Sequence, residues 1–223
     1  MQQLLTGKKR LPGFGNPIKK EGEIPQGWEK VRLNALVYEN KERNYKLHYD
    51  KEDVLSVSGD YGIVNQIEFM GRSYAGKSVA NYHIVNTNDI VYTKSPLKNN
   101  PYGIIKVNKG KPGIVSTLYA VYTCNENISG YYLDYYFQID DNVNGYLRPL
   151  VRKGAKNDMK INNNQVLTGS IVIPNIKEQK SVVSLLSLID SEIDKAKMHM
   201  NYFIEQKKGL MQKLLTGEVR VTI

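Results

Sequence analysis

Residues 175–217 read NIKEQKSVVSLLSLIDSEIDKAKMHMNYFIEQKKGLMQKLLTG, and in this stretch a set of mostly apolar residues recurs at strictly alternating intervals of four and three positions. We call these ten positions the seam: Val182, Leu186, Ile189, Ile193, Ala196, Met200, Phe203, Lys207, Leu210 and Leu214. Nine of the ten are apolar. Such alternation is typical of a coiled coil, because it keeps one apolar stripe turned toward a partner helix. The stretch therefore predicts a long helix that Asn175 caps and Gly217 ends.

The length of this helix predicts that it needs a partner. At 1.5 Å per residue it would be roughly 60 Å long, whereas a 150-residue domain measures only about 30 to 35 Å across. We therefore expect the helix to extend beyond its own domain and the seam to meet another chain. Lys207, the one charged seam residue, would disfavour registers that bury it. The alternative is a helix wrapped on its own domain, which predicts a broader and less regular apolar stripe.

The end of the long helix is repeated at the start of the chain. MQQLLTGKKRL begins at Met1 and MQKLLTGEVRV at Met211, and seven of the eleven aligned positions are identical. Short repeat arrays have units of about 20 to 50 residues, so a single echo at this distance suggests one unit of a tandem, preceded by the end of another. Met1 to Gly7 would then be the last turn of a helix, either docked on a partner's long helix or left over. The alternative is two unrelated helix ends that share a Leu-Leu-Thr-Gly stop.

The middle of the chain predicts an α+β domain. Residues 8–27 are rich in Gly, Pro and Lys and predict a linker, and Trp28 opens a short amphipathic helix or turn. From about Val54 to Thr123, short β-branched and aromatic runs between turns predict six or so short strands. Residues 132–137 have helical spacing, and VLTGSIVIP predicts a last strand ending near Pro174. The predicted fold class is α+β, one mixed domain of mostly short strands followed by a long C-terminal coiled-coil helix.

Charge and composition favour a nucleic-acid partner. The formal net charge is +9, and Lys and Arg gain affinity for DNA by releasing counterions from phosphates. The single Cys124 excludes an internal disulfide and agrees with a cytoplasmic location. The sequence has neither a signal peptide nor an 18-residue apolar run, so we expect no membrane span. His48, His83 and His199 lack metal-ligand spacing, and we expect no metal, cofactor or catalytic group.

One string matches a nucleotide-binding pattern. GRSYAGKS, residues 71–78, satisfies G-x-x-x-x-G-K-[ST], whose chemistry requires a preceding strand and a helix that begins at the Gly-Lys-Ser. IVNQIEFM could be the strand, but the following residues are β-branched and have no helical period. A small P-loop ATPase is therefore a weak alternative.

Three basic, turn-rich loops carry side chains of the types that contact DNA phosphates and bases. The candidates are Arg72, Ser73, Tyr74 and Lys77 in the first loop (71–78), Lys94, Lys98, Asn99, Asn100 and Tyr102 in the second (94–103), and Lys153, Lys156, Asn157 and Lys160 in the third (153–160). The second loop is equally well explained as a plain turn between strands. The aromatic run YYLDYYF could stack bases, but such clusters at helical spacing are more often core.

Several stretches together resemble the specificity subunit of type I DNA restriction-modification systems. They are PQGWEKVRLNAL, YHIVNTNDIVYTKSPLKNNPYGIIKV, GIVSTLYAVYT, IPNIKEQKSVVSLLSLIDSEI and KKGLMQKLLTGEVRV, which cover nearly the whole chain. Residues 174–179 and the heptad helix after them are the most specific part. Such subunits usually carry two target-recognition domains, each followed by a long helix, and this sequence has one set.

The resemblance implies a non-catalytic, sequence-specific DNA-binding subunit. Residues 1–27 would be a remnant helix end and linker, 28–174 a target-recognition domain, 175–217 a spacer and dimerisation helix, and 218–223 a tail. The implied partners are double-stranded DNA, methyltransferase subunits and a restriction or translocase subunit. Two copies, or this chain and another half-subunit, would pair through the long helix to read a bipartite target. The alternative is a stand-alone coiled-coil dimeric DNA-binding protein.

Overall fold

A computed structural model of the chain describes residues 1–20, 22–153 and 159–220. Contacts between residues divide the chain into two units, Met1–Val183 and Ser184–Ile223. The first unit is α+β, as predicted, and the second is formed mainly by the continuation of one long helix. None of the helices in the described ranges is long and apolar enough to cross a membrane.

Twelve short strands and six α-helices are found in the described residues. The strands are β1 (Trp28–Arg32), β2 (Val37–Glu39), β3 (Leu55–Ser58), β4 (Gly62–Asn65), β5 (His83–Val85), β6 (Ile90–Thr93), β7 (Ile104–Val107), β8 (Gly113–Val115), β9 (Tyr119–Cys124), β10 (Arg152–Lys153), β11 (Met159–Lys160) and β12 (Ser170–Pro174). The helices are α1 (Gln2–Leu5), α2 (Gln66–Met70), α3 (Gly130–Gln138), α4 (Asp140–Leu147), α5 (Asn163–Val166) and α6 (Ile176–Leu215).

The strands form one four-stranded sheet and four two-stranded pairs, all antiparallel. The larger sheet has the order β2-β9-β6-β7, and the pairs are β1 with β12, β3 with β4, β5 with β8, and β10 with β11. Every residue of β6 and β7 is buried, and α3 packs against β7. This sheet is therefore the centre of the core, and the shorter pairs lie around it.

Tyrosine fills much of this core. Tyr92, Tyr122 and Tyr132 are fully buried, and the hydroxyl groups of the first two donate to backbone carbonyls. In α3, Tyr132, Leu133 and Phe137 all face inward. The aromatic run YYLDYYF therefore belongs mainly to the core, and its buried residues are not available to stack on DNA bases.

Two local predictions were wrong, each for a physical reason. Trp28 begins a strand and not a helix, because its segment pairs with β12 from Trp28↔Pro174 to Arg32↔Ser170. The run IVNQIEFM changes from strand to helix at Asn65, whose side chain accepts hydrogen bonds from the N–H groups of Ile67 and Glu68. The helical spacing of residues 132–137 is confirmed by α3, which ends at Gln138 because Ile139 has an extended backbone.

His83 makes the stability of this core depend on pH. Burial, assisted by Arg43 and Lys94 and opposed by Glu39, lowers the pKa of His83 to about 4. The folded state therefore binds fewer protons than the unfolded state between about pH 4 and the ordinary value of 6.5. We expect the free energy of unfolding to fall by about 2 kcal/mol between pH 7 and pH 5, measured by urea unfolding. His83→Gln should flatten this dependence, and an unchanged slope would contradict the assignment.

Candidate DNA interface and helix seam

The first loop (71–78) is exposed and held at its base. Gly71 ends α2 with a φ of 74°, and the N–H of Tyr74 donates to Gln66 Oε1 at 2.8 Å. The Arg72 guanidinium lies over the Tyr74 ring, 4.6 Å from its centre, and both side chains are exposed. Ser73 is half-buried, and Lys77 is exposed. The loop therefore presents two cations and a flat ring to solvent.

The same loop lacks the geometry of a nucleotide-binding loop. No helix begins at Gly76, Lys77 and Ser78, and the chain continues through an irregular segment to β5. All strand pairs of the described sheets are antiparallel, whereas the phosphate-cradling loop requires a parallel sheet behind it. The match to the P-loop pattern is therefore a coincidence of residue types.

The second loop (94–103) is fastened to α4. The Asn100 side chain is buried and donates to Asp140 Oδ1 at 2.8 Å, and Asn144 donates to the Asn99 carbonyl at 2.9 Å. Lys98 and the Asn99 side chain remain exposed. Asn100 therefore supports the loop and does not present its amide to a ligand, contrary to our expectation.

The two ends of this loop are only partly accessible. Tyr102 is half-buried, and its carbonyl accepts a hydrogen bond from the Tyr92 hydroxyl at 2.8 Å. Lys94 is also half-buried, and burial lowers its pKa, against the opposing effect of Glu39. The exposed tip of the loop, around Lys98, is its most accessible basic part.

The hairpin of β3 and β4 lies near both of the first two loops. A Cβ atom placed on Gly59 would lie 3.6 Å from Leu97 Cδ1, so the hairpin turn lies close to the second loop. On its other side, the rings of Tyr61 and Phe69 are 5.0 Å apart, which ties the hairpin to the helix that leads into the first loop. The hairpin therefore lies between these two basic loops.

The third loop lies largely outside the described residues. Lys156 and Asn157 are not among them, and for Lys153 and Lys160 only the backbone is described, in the paired strands β10 and β11. These two strands follow α4, the helix that holds the second loop. The third loop therefore follows directly in the chain after the helix that holds the second loop.

The seam has a buried beginning and an exposed remainder. Val182 and Leu186 are buried. From Ile189 onward the seam side chains are exposed, with 46% of Ile193 and 63% of Phe203 accessible to solvent. Leu188, Met198, Tyr202 and Ile204 add further exposed apolar surface. A large exposed apolar surface of this kind marks an interaction site.

Sequence reasoning missed a buried polar cluster at the start of α6. Asn175 caps this helix, as predicted, by accepting from the N–H of Glu178 at 3.1 Å. Glu178 accepts two hydrogen bonds from Arg10, at 2.6 and 2.8 Å, and one from the Trp28 indole at 3.1 Å. The carboxylate and guanidinium side chains are 2% and 3% exposed. We call Pro25, Trp28 and Glu178 the cradle, since they receive the N-terminal segment.

Gln179 makes a second anchor beside the cradle. Its side chain donates to the carbonyls of Pro174 and Asn127 and accepts from the N–H of Ser129. Residues 174–179 therefore cap the long helix, bind the N-terminal segment and hold the loop before α3. The polar residues just after the helix cap were the available indication of this role, but all of their side-chain partners except Pro174 are at least 50 positions away.

The N-terminal segment packs within its own chain. Leu5 is 1% exposed, and Gly7 lies directly against the Pro25 ring with no space for a Cβ atom. The Gly7 carbonyl also accepts a hydrogen bond from the N–H of Ile18. Neither predicted state of this segment, docked on a partner's helix or left over, describes this arrangement.

Comparisons with known proteins agree with the resemblance seen in the sequence. No family model matches the chain. A putative type I restriction enzyme MjaX specificity subunit from Methanocaldococcus jannaschii is 25% identical over 207 residues, which cover 89% of this chain and 48% of the relative. The chain therefore spans about half the length of the curated relative that it matches.

Solved structures have the same fold. The HsdS subunit from Thermoanaerobacter tengcongensis superposes with a TM-score of 0.55 at 14% identity, over 88% of this chain and 50% of that one. The type I S subunit from M. genitalium gives a TM-score of 0.52 at 10% identity, over 88% of this chain and 47% of that one. In both sequence and fold, the chain is thus similar to one half of a type I restriction specificity subunit.

Proposed function

We propose that this chain is a non-catalytic subunit that recognises one half of a bipartite DNA target for a type I restriction-modification complex. The observation that carries this proposal is a match over 89% of the chain to about half of a specificity subunit. Residues 28–174 would form the target-recognition domain, 175–217 the spacer helix, 1–27 the entry segment and 218–223 a tail. A subunit with this function would act on genomic DNA and would therefore be located in the cytoplasm.

The long helix would supply the missing half by pairing. A second copy, or another half-subunit, would lie antiparallel along the seam and restore two recognition domains. Two identical domains related by a two-fold axis would read two inverted half-sites, so the target of a homodimer would be a gapped palindrome. The exposed seam from Ile189 to Leu214 supports this step. Methyltransferase and restriction subunits would dock on this pair.

The DNA contacts would come from the basic loops. Arg72, Tyr74 and Lys77 in the first loop and Lys98 and Asn99 in the second are exposed, and their side chains are of types that bind phosphates and base edges. Ser73, Lys94 and Tyr102 would contribute from the partly buried parts of the loops. Lys153 and Lys160, with Lys156 and Asn157 between them, would add a third contact region.

Removing three exposed cations should reduce the salt dependence of DNA binding. In the triple variant Arg72→Ala, Lys77→Ala and Lys98→Ala, about three phosphate contacts are lost. The slope of log affinity against log salt should therefore become shallower by about 3. Fluorescence anisotropy with duplex DNA at several salt concentrations measures this slope.

A triple variant on the long helix provides the matched control. Lys195→Ala, Lys197→Ala and Lys208→Ala removes the same charge from side chains that are similarly exposed. The control should retain most of the original slope. If the slope of log affinity against log salt became equally shallower in the two triple variants, the loop cations would contribute only through the net charge of the protein.

Co-expression with a cognate methyltransferase subunit in a methylation-free host tests the function itself. Sequencing of modified adenines should show a gapped palindrome if two copies of this chain pair, or an asymmetric bipartite site if another half-subunit is the partner. A folded complex that modifies no DNA would overturn the proposal. Tight operator binding without any co-purifying methyltransferase would favour the stand-alone DNA-binding protein instead.

A further inference from the structure

The two copies of the repeated segment have the same local structure. In the N-terminal copy the Thr6 hydroxyl donates to the Gln2 carbonyl at 2.9 Å, and the Thr216 hydroxyl donates to the Gln212 carbonyl at the same distance. Gly7 and Gly217 have φ angles of 72° and 75°. Each copy is therefore a helix end closed by a left-handed glycine, as the Leu-Leu-Thr-Gly sequence requires.

The helix stop is matched beyond the glycine as well. The N–H of Lys9 donates to the carbonyl of Gln3 at 2.9 Å, and the N–H of Val219 donates to the carbonyl of Lys213 at 3.1 Å. Both bonds join residues six positions apart across the glycine, so the chain folds back over the helix end in the same way in both copies. The two copies thus present their shared side chains from the same backbone shape.

The N-terminal copy docks through three residues that the other copy shares. Leu5 is buried, Gly7 contacts Pro25, and Arg10 forms two hydrogen bonds with Glu178. Their counterparts are Leu215, Gly217 and Arg220. The residues that make these three contacts therefore occur twice in this chain.

The C-terminal copy displays the same residues to solvent. Leu215 is 84% exposed, the most exposed of the large apolar side chains in the described residues, and Gly217 and Arg220 are exposed as well. Because their counterparts Leu5 and Arg10 are both buried, this exposed leucine and arginine form a preformed ligand for a surface of the same kind. The cradle of the same chain is already filled by the N-terminal copy.

We propose that the C-terminal copy of one chain docks in the cradle of a second copy of this chain, taking the place of that chain's N-terminal copy. The inference rests on the antiparallel pairing proposed above, in which the C-terminal end of each long helix lies beside the first turns of its partner. Glu178 stands in the first turn of that helix. Because Leu, Gly and Arg recur at the same spacing, the exchange replaces each docking contact by an equivalent one.

Pairing also allows the C-terminal copy to compete for the cradle. Once two chains are held together, the second copy is tethered near the cradle and competes at an effective concentration in the millimolar range. The residues around the shared ones differ, since Lys8 and Lys9 correspond to Glu218 and Val219. The C-terminal copy therefore brings less positive charge to the cradle than the N-terminal copy.

Single and double arginine variants of the full chain test the exchange. In the paired protein, Arg10→Ala and Arg220→Ala should each shift the unfolding midpoint by only a few degrees, because the other copy fills the cradle. The double variant leaves Glu178 buried without a cation and should unfold about 10 °C lower. Trp28, the one tryptophan of the chain, reports the cradle directly through its fluorescence.

The unpaired chain is the decisive comparison. In an Ile193→Glu background, which separates the chains, Arg10→Ala alone should lower the midpoint as much as the double variant does in the paired protein. Equal effects of Arg10→Ala in the two backgrounds would overturn the exchange and leave the pairing intact. A chain that sediments as a monomer at every concentration would overturn the pairing and the exchange together.

Discussion

Replacing Ile193 by glutamate is expected to separate the paired chains. The side chain lies in the middle of the seam and is 46% exposed in the single chain, so the change should leave the fold of the monomer intact. In the pair, two symmetry-related glutamates would enter the apolar seam without partners. We expect the dissociation constant to rise at least about 100-fold, since burial of an unpaired charge costs several kcal/mol. Sedimentation velocity over a concentration series measures it.

Ser191→Glu is the matched control for this change. It places the same charge on the same helix two positions earlier, on the face opposite the seam. Its circular dichroism and its sedimentation should match those of the original protein. An Ile193→Glu protein that pairs as tightly as the Ser191→Glu protein would show that the seam is not the interface. Leu186 is a poorer site for this test, because it is already buried in the single chain.

Glu178→Ala is expected to be the most destabilising single change in the cradle. It leaves the Arg10 guanidinium, 3% exposed, without its carboxylate and removes the acceptor of the Trp28 indole. Removal of one partner of a buried ion pair costs about 3 to 5 kcal/mol, because an uncompensated charge stays in the interior. The free energy of unfolding from urea titration, followed by Trp28 fluorescence, measures the loss.

Two neighbouring variants separate charge from packing. Glu178→Gln keeps the shape and one oxygen acceptor for Trp28 but removes the negative charge, so it should isolate the electrostatic part of the loss. Lys177→Ala changes the adjacent exposed residue and should stay within about 0.5 kcal/mol of the original protein. A loss for Glu178→Ala no larger than that for Lys177→Ala would mean that the ion pair contributes nothing to stability.

Patterns that repeat along the chain were readable from the sequence. The 4/3 spacing of the seam predicted the long helix, and its bounds of Ile176 and Leu215 agree with the caps expected at Asn175 and Gly217. Short β-branched runs predicted most of the strands. The helix and the strands could be predicted because their periodicity and caps depend on residues that are close together in the sequence.

Pairings between distant segments were not readable in this way. Trp28 was expected to begin a helix or turn, but it pairs with Pro174 in a strand, 146 positions later. Asn100 has the chemistry of a DNA contact, and only its bond to Asp140 shows that the side chain is turned inward. Nothing in a local pattern indicates which distant group will satisfy a polar side chain.

The sequence by itself determined the α+β class, the long seam-bearing helix and the duplicated Leu-Leu-Thr-Gly end, because periodicity, caps and self-similarity are properties of the chain. The tertiary structure alone decided which copy of that end is docked. It buries Leu5 and Arg10 and leaves Leu215 and Arg220 exposed, although the shared residues are the same in both. The physical reason is that burial depends on a complementary surface, and the cradle of Pro25, Trp28 and Glu178 is assembled only when segments about 150 residues apart come together.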